Sequence, residues 1–114
     1  MFICGCFMDK LLYNTLLFDF YGELLTEKQR EAYYMYFCED MSLGEIGERL
    51  DISRQAVNFS IKQARRSFDG FEEALGLVRR HVDAQNCLIA LEKALERRDY
   101  EDSGKILTEL SKFL

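Results

Sequence analysis

No proline occurs anywhere in the 114 residues, and tryptophan is absent as well. A proline inside a helix costs roughly 3 kcal/mol, so its absence leaves long helices free to run without kinks. Histidine occurs once, as His81. It has no ligand-type neighbours in sequence and is expected on a helix surface. The carboxylates are scattered over polar faces, and no nucleophile has a candidate base beside it, so an enzyme is the weakest class for this chain. The four cysteines, Cys4, Cys6, Cys38 and Cys87, lack the paired spacing of a metal clip. They read as free thiols of a reducing cytoplasm, with no metal and no cofactor expected. No apolar run reaches the roughly 18 residues that a membrane-spanning helix needs. No glycine-rich phosphate loop occurs, and no segment alternates with the period of a strand.

What is present is the composition of an ordinary folded domain, 48% hydrophobic and 31% charged. The apolar opening from Met1 to Phe7 lacks the basic leader and cleavage site of a secretion signal. Residues 1–8 are therefore expected to form a tail, with Met1 or Met8 as the translation start. A first helix is predicted over Asp9 to Leu25, where Leu12, Leu16, Phe20 and Leu24 recur at helical spacing. Thr26 to Gln29 has the form of a capping box and opens a second helix through Cys38, with Ala32, Met35 and Tyr36 facing inward. Its tyrosines read as a core stripe in preference to a base-stacking surface.

Ser42 to Glu45 is a second capping box and starts a short helix ending near Leu50. Asp51 and Ile52 make a turn, and Ser53 caps a long helix. In that helix Val57, Ile61, Ala64, Phe68, Phe71 and Leu75 recur in steps of four and three, a series continued by Val78 and Val82. Asp69-Gly70 is expected to break or bend the run. Two further amphipathic stretches are predicted over residues 83–98, marked by Leu88, Leu91 and Leu95, and 103–114, marked by Ile106, Leu107, Leu110 and Leu114. The fold class is thus all-α: a helix-turn-helix domain over residues 9–70, with the motif at 42–68, and a C-terminal helical extension over 71–114. That extension either packs on the domain or forms a dimer interface through Val78, Val82, Leu88, Leu91 and Leu95.

The motif has the residue types that two closely crossing helices require. Ile46, Leu50, Ile52, Val57 and Ile61 fall where apolar side chains lock the pair, and Gly47 falls at the closest approach. Asp51 occupies the turn position usually filled by glycine and is one of the few other residues that tolerate the left-handed conformation. At about 100° per residue, with Arg54 as the origin, Arg54, Arg65, Asn58, Lys62, Gln55 and Arg66 fall within about 120° of arc. The apolar and small residues, Ala56, Val57, Ser60, Ile61, Ala64 and Phe68, fall on the opposite side. Arg54, Gln55 and Asn58 lie near the helix N-terminus, where such side chains read base edges. Lys62, Arg65 and Arg66 lie further along and suit phosphates, and Ser53 can add a phosphate contact at the helix start. Phe59 sits beside this face, either to meet a thymine methyl or to pack on the first helices.

The charge distribution agrees with that face. The net charge of −5 is unfavourable for a nucleic-acid binder. Yet residues 51–70 carry 4 basic and 2 acidic groups, against 4 and 9 over residues 1–50 and 7 and 9 over residues 71–114. The only net-positive block is the one that would touch DNA.

Three segments, Leu25-Thr-Glu-Lys-Gln-Arg30, Met41-Ser-Leu-Gly-Glu-Ile46 and Ile52-Ser-Arg-Gln-Ala-Val57, resemble region four of bacterial sigma factors, which reads the −35 promoter element. The longer stretch from Leu17 toward Arg80 is more similar to the YlxM family of small bacterial helix-turn-helix proteins. This resemblance implies a sigma region-four-like bundle, no catalytic chemistry, and a regulatory part in the signal recognition particle pathway, beside whose GTPase genes the family is encoded. Asp51 and the pair Asn58-Phe59 depart from the pattern. The leading expectation is a cytoplasmic DNA-binding regulator. The rival is an interaction module for RNA or a protein of the signal recognition particle, whose basic partner would account for the acidity.

Overall fold

A computed structural model describes residues 10–114. The expectations for the 1–8 tail, the start at Met8, and Cys4 and Cys6 lie outside the described residues. Helices α1 (Lys10–Tyr21), α2 (Glu27–Phe37), α3 (Leu43–Leu50), α4 (Arg54–Leu75), α5 (Leu77–Glu96) and α6 (Tyr100–Ser111) follow in order, with one 3-10 turn at Gly22–Leu24. No strand occurs among the described residues, and none of their helices is long and apolar enough to cross a membrane. The protein is all-α. Its described residues group into two compact units, one ending at Gly76 and the other formed by Leu77–Leu114.

In the first unit both capping boxes form. The Thr26 hydroxyl accepts from the Gln29 amide at 3.2 Å, while the Thr26 amide donates to the Gln29 side chain at 3.3 Å. The inward faces differ in part from the expected ones: Ala32 is buried and Met35 packs on the core as expected, while the large side chains are exchanged. Leu12 and Phe20 on α1 and Leu24 in the 3-10 turn are exposed and Leu16 is half-buried, whereas Asn14, Leu17 and Tyr21 are buried. On α2 the inward tyrosine is Tyr33, fully buried, and not Tyr36, which is 38% exposed. The aromatic volumes explain the rotation. Tyr33 packs 4.5 Å from Phe37 and meets Phe68 edge-on at 4.8 Å, and its hydroxyl donates to the Asn14 carbonyl. Each large ring buried removes more apolar area from water than a leucine does. Burial pushes the Tyr33 phenol well above its ordinary range.

Helix α4 passes through Asp69-Gly70 without interruption, which corrects the expected break. Gly70 faces open space, and its helical cost of roughly 1 kcal/mol is offset by what surrounds it. Phe68 is fully buried, and the Tyr21 hydroxyl donates to Glu72 at 2.7 Å, holding the last turns against α1. The helix ends at Gly76, whose left-handed backbone (φ 62°) directs its amide to the Glu72 carbonyl.

In the second unit α5 and α6 form a helical hairpin. Its core is Cys87, Ala94, Ile106 and Leu110, with Leu91 and Phe113 packed against it. Helix α6 starts at Tyr100 and not at Ser103, because Asp99 caps it by accepting from the Asp102 amide at 3.0 Å. Ser103 is buried and donates to the Asp99 carbonyl instead. Of the stripe expected either to pack or to form a dimer interface, Val78 is buried and Val82 and Leu91 are half-buried. Leu88 and Leu95 remain exposed, beside Ile89 on α5 and Leu107 on α6.

Candidate nucleic-acid interface

Three local devices orient α4 against α3. The first is the Ser42 box: the Glu45 amide donates to the Ser42 hydroxyl at 3.1 Å, and the Ser42 amide donates to the Glu45 carboxylate at 3.2 Å. Those bonds hold the Glu45 carboxyl below the usual carboxylate range. The second is the turn. Asp51 adopts the left-handed conformation (φ 56°, ψ 46°), and the Ile52 amide donates to the Gly47 carbonyl at 2.9 Å. The third is Gly47 itself. A Cβ built there would lie 2.7 Å from the Ile52 carbonyl oxygen, closer than real contacts permit. Ile46, Val57 and Ile61 then close with Ala32 of α2 into one buried cluster.

Ser53 caps α4 by accepting from the Ala56 amide at 3.0 Å. No acidic residue occupies the first turn of α4. Beyond the amide that Ser53 caps, the first turn of α4 offers the partial positive charge of a helix start, which suits an anion. Arg54, Gln55, Lys62, Arg65 and Arg66 are exposed, and Asn58 is half-buried. Among the described residues, no ion pair engages Arg54, Lys62, Arg65 or Arg66. These cations are not neutralised within their own unit.

The buried residues of α4 refine the face. Val57, Ser60, Ile61, Ala64 and Phe68 are the inward ones. At about 100° per residue they centre near 300° on the scale that sets Arg54 to zero, so the outermost direction lies near about 115°. Gln55, Lys62 and Arg66 lie close to that direction. Arg54 and Arg65 lie toward one margin. Arg65 is drawn further aside, with its guanidinium carbon 5.4 Å from the Phe37 ring centroid on α2. It also lines a small cleft with Lys10, Tyr13, Tyr33 and Asp69. A cation over a ring at an exposed site contributes about 0.5–1 kcal/mol, so Arg65 has a packing role that its sequence position did not announce. Phe59 falls on the outward side and is 62% exposed, which excludes its packing on the first helices.

Neither of the two cysteines among the described residues is an activated nucleophile. Burial, reinforced by Asp19 and Glu39, pushes the Cys38 thiol up. Burial, reinforced by Glu109 and Asp83, does the same for Cys87. Both thiols therefore stay protonated at neutral pH.

A family model described as "Putative helix-turn-helix protein, YlxM / p13 like" matches residues 8–108. A UPF0122 protein of Thermoanaerobacter sp. (strain X514) is 54% identical over 100 residues, covering 87% of this chain and 86% of its own length. A UPF0122 protein of Halalkalibacterium halodurans is 42% identical over 102 residues, covering 90% and 94%. One from Listeria innocua is 41% identical over 87 residues, covering 76% and 79%. With most of its length matched by the family and relatives at this level of identity, the chain belongs to the YlxM / p13 like family of helix-turn-helix proteins.

Proposed function

We propose that this protein is a DNA-binding regulator that lays the N-terminal half of α4 in the major groove. The observation that carries the reading is the set of exposed cations on α4 that no ion pair engages among the described residues, on a helix oriented by a capped partner helix and a tight turn. In this reading Arg54, Gln55 and Asn58 meet base edges, Ser53, Lys62 and Arg66 meet phosphates, and Arg65 contributes less because Phe37 holds it.

The test is anisotropy titration against a random-sequence duplex pool over a range of salt. Log affinity is expected to fall by about 0.9 per phosphate contact for each decade of salt. Lys62→Ala and Arg66→Ala should each weaken all sequences alike and flatten that slope by about one contact. Arg54→Ala should instead relax preference at one base by about 1–3 kcal/mol.

The second reading is an RNA- or protein-interaction module of the signal recognition particle pathway. It is favoured by the excess of acidic groups outside residues 51–70. It replaces the first if no duplex is retained at low salt while an RNA or a protein partner is.

The proposal extends to a homodimer through the hairpin of α5 and α6, where Leu88, Ile89, Leu95 and Leu107 lie exposed. Sedimentation velocity at micromolar concentration is expected to show a species of twice the 13.4 kDa chain mass. A monomer under those conditions removes the dimer.

A further inference from the structure

Phe59 is more exposed than any other large hydrophobic side chain between residues 10 and 76. It serves no core, yet it lies on the outward side of α4, beside exposed cations that no ion pair engages among the described residues. Its neighbours at helical spacing are Gln55 one turn before, and Lys62, Gln63 and Arg66 after it. Gln55, Lys62 and Arg66 are exposed. An apolar disc is thus surrounded by hydrogen-bond donors and two cations.

That chemistry matches a polyanion with an apolar spot among polar edges. In the major groove the spot is the C5 methyl of thymine, the one hydrocarbon group the groove presents. Phe59 lies about 6 Å further along α4 than Gln55, a distance of about two base-pair steps. Resting on the DNA-binding reading above, we infer that Phe59 is a specificity residue that packs on a thymine methyl within about two base pairs of the base met by Gln55.

The test enriches duplexes from a random-sequence pool with the wild-type chain and with Phe59→Ala, then remakes the enriched duplex with uracil in place of each thymine in turn. Because Phe59 is exposed, Phe59→Ala should keep the wild-type melting temperature, and Phe59→Leu provides a variant that retains an apolar contact. The wild type is expected to select thymine at one position and to lose about fourfold in affinity when that thymine becomes uracil, the value of one buried methyl. Phe59→Ala should bind the two forms equally, and Phe59→Leu should keep part of the difference. Enrichment that Phe59→Ala shares, with no discrimination between thymine and uracil, overturns the methyl contact and leaves DNA binding standing. Failure of the wild type to enrich any duplex overturns the DNA reading and this one together. Capture by an acidic protein that Phe59→Ala abolishes, with no duplex enriched, would reassign the surface to a protein partner.

Discussion

Phe68→Ala is expected to destabilise the helix-turn-helix unit by about 3–5 kcal/mol, the range for emptying a phenylalanine site in a core. Phe68 is fully buried. Its ring lies 4.8 Å from Tyr33 at an interplanar angle of 89°, and 6.4 Å from Tyr21. Neither tyrosine is free to collapse into the vacated space. The Tyr33 hydroxyl is tied to the Asn14 carbonyl and the Tyr21 hydroxyl to Glu72, so filling the void would break a hydrogen bond that links helices. Domains of this size are stable by only about 5–15 kcal/mol, and a loss of this order removes a large share. The consequence reaches the candidate interface, because Phe68 holds the same helix whose opposite side carries Gln55, Lys62 and Arg66.

Urea unfolding followed by the tyrosine near-UV signal is the suitable measurement. Five of the six tyrosines lie between residues 10 and 76, so the signal reports mainly on this unit. The midpoint should fall with the slope preserved. Phe68→Leu, which keeps most of the volume, should cost less than half as much. A loss under about 1 kcal/mol for Phe68→Ala would contradict an aromatic core built on Tyr21, Tyr33 and Phe68.

The second large effect concerns Gly47→Ala, expected to cost about 2 kcal/mol although alanine is the better helix former by about 1 kcal/mol. The added carbon would sit 2.7 Å from the Ile52 carbonyl oxygen and 3.6 Å from the Arg54 amide nitrogen. Both neighbours are backbone of the turn, with no flexible side chain to give way. Relief requires α3 and α4 to separate, which strains the bond from the Ile52 amide to the Gly47 carbonyl. A drop of roughly 10 °C in melting temperature is expected. Any duplex affinity should fall with it, since the angle of α4 against α3 changes. Gly70→Ala is the control: nothing lies within 4 Å of its added carbon, and it sits inside the same α4. There the helical gain stands alone, about 0.5–1 kcal/mol, and the melting temperature should rise. One substitution at two glycines thus yields opposite signs. A rise at both positions would mean that α3 and α4 do not approach closely at Gly47.

The features legible without the structure were those governed by neighbours along the chain. A cap needs only a hydroxyl or carboxylate and an amide three residues on, so Thr26, Ser42 and Ser53 announced three helix starts. A left-handed turn needs a residue that tolerates it, and Asp51 between two apolar stretches marked the corner. Asp99, with Asp102 three positions later, carried a similar local signal at α6, four residues before Ser103, where the predicted stretch begins. Gly70 was over-read for a related reason: a glycine weakens a helix locally, while the packing of Phe68 and the bond to Glu72 that carry α4 past it are made with α1 and α2.

By itself, then, the sequence determined the all-α class, the capped helices around the turn and the separation of α4 into polar and apolar sides, because these depend on interactions within a few residues. The tertiary structure alone decided which member of each close set turns inward. Tyr33 is buried in place of Tyr36, and Cys87 and Ala94 in place of Leu88 and Leu95. It also drew Arg65 over Phe37 and left Phe59 outward amid Gln55, Lys62 and Arg66. Residues one position apart differ by only about 100° around a helix, and residues three apart by about 60°, and periodicity does not resolve an apolar arc that wide. The choice among them rests on the volumes and hydrogen-bond partners that other helices present, and these meet only in the folded chain.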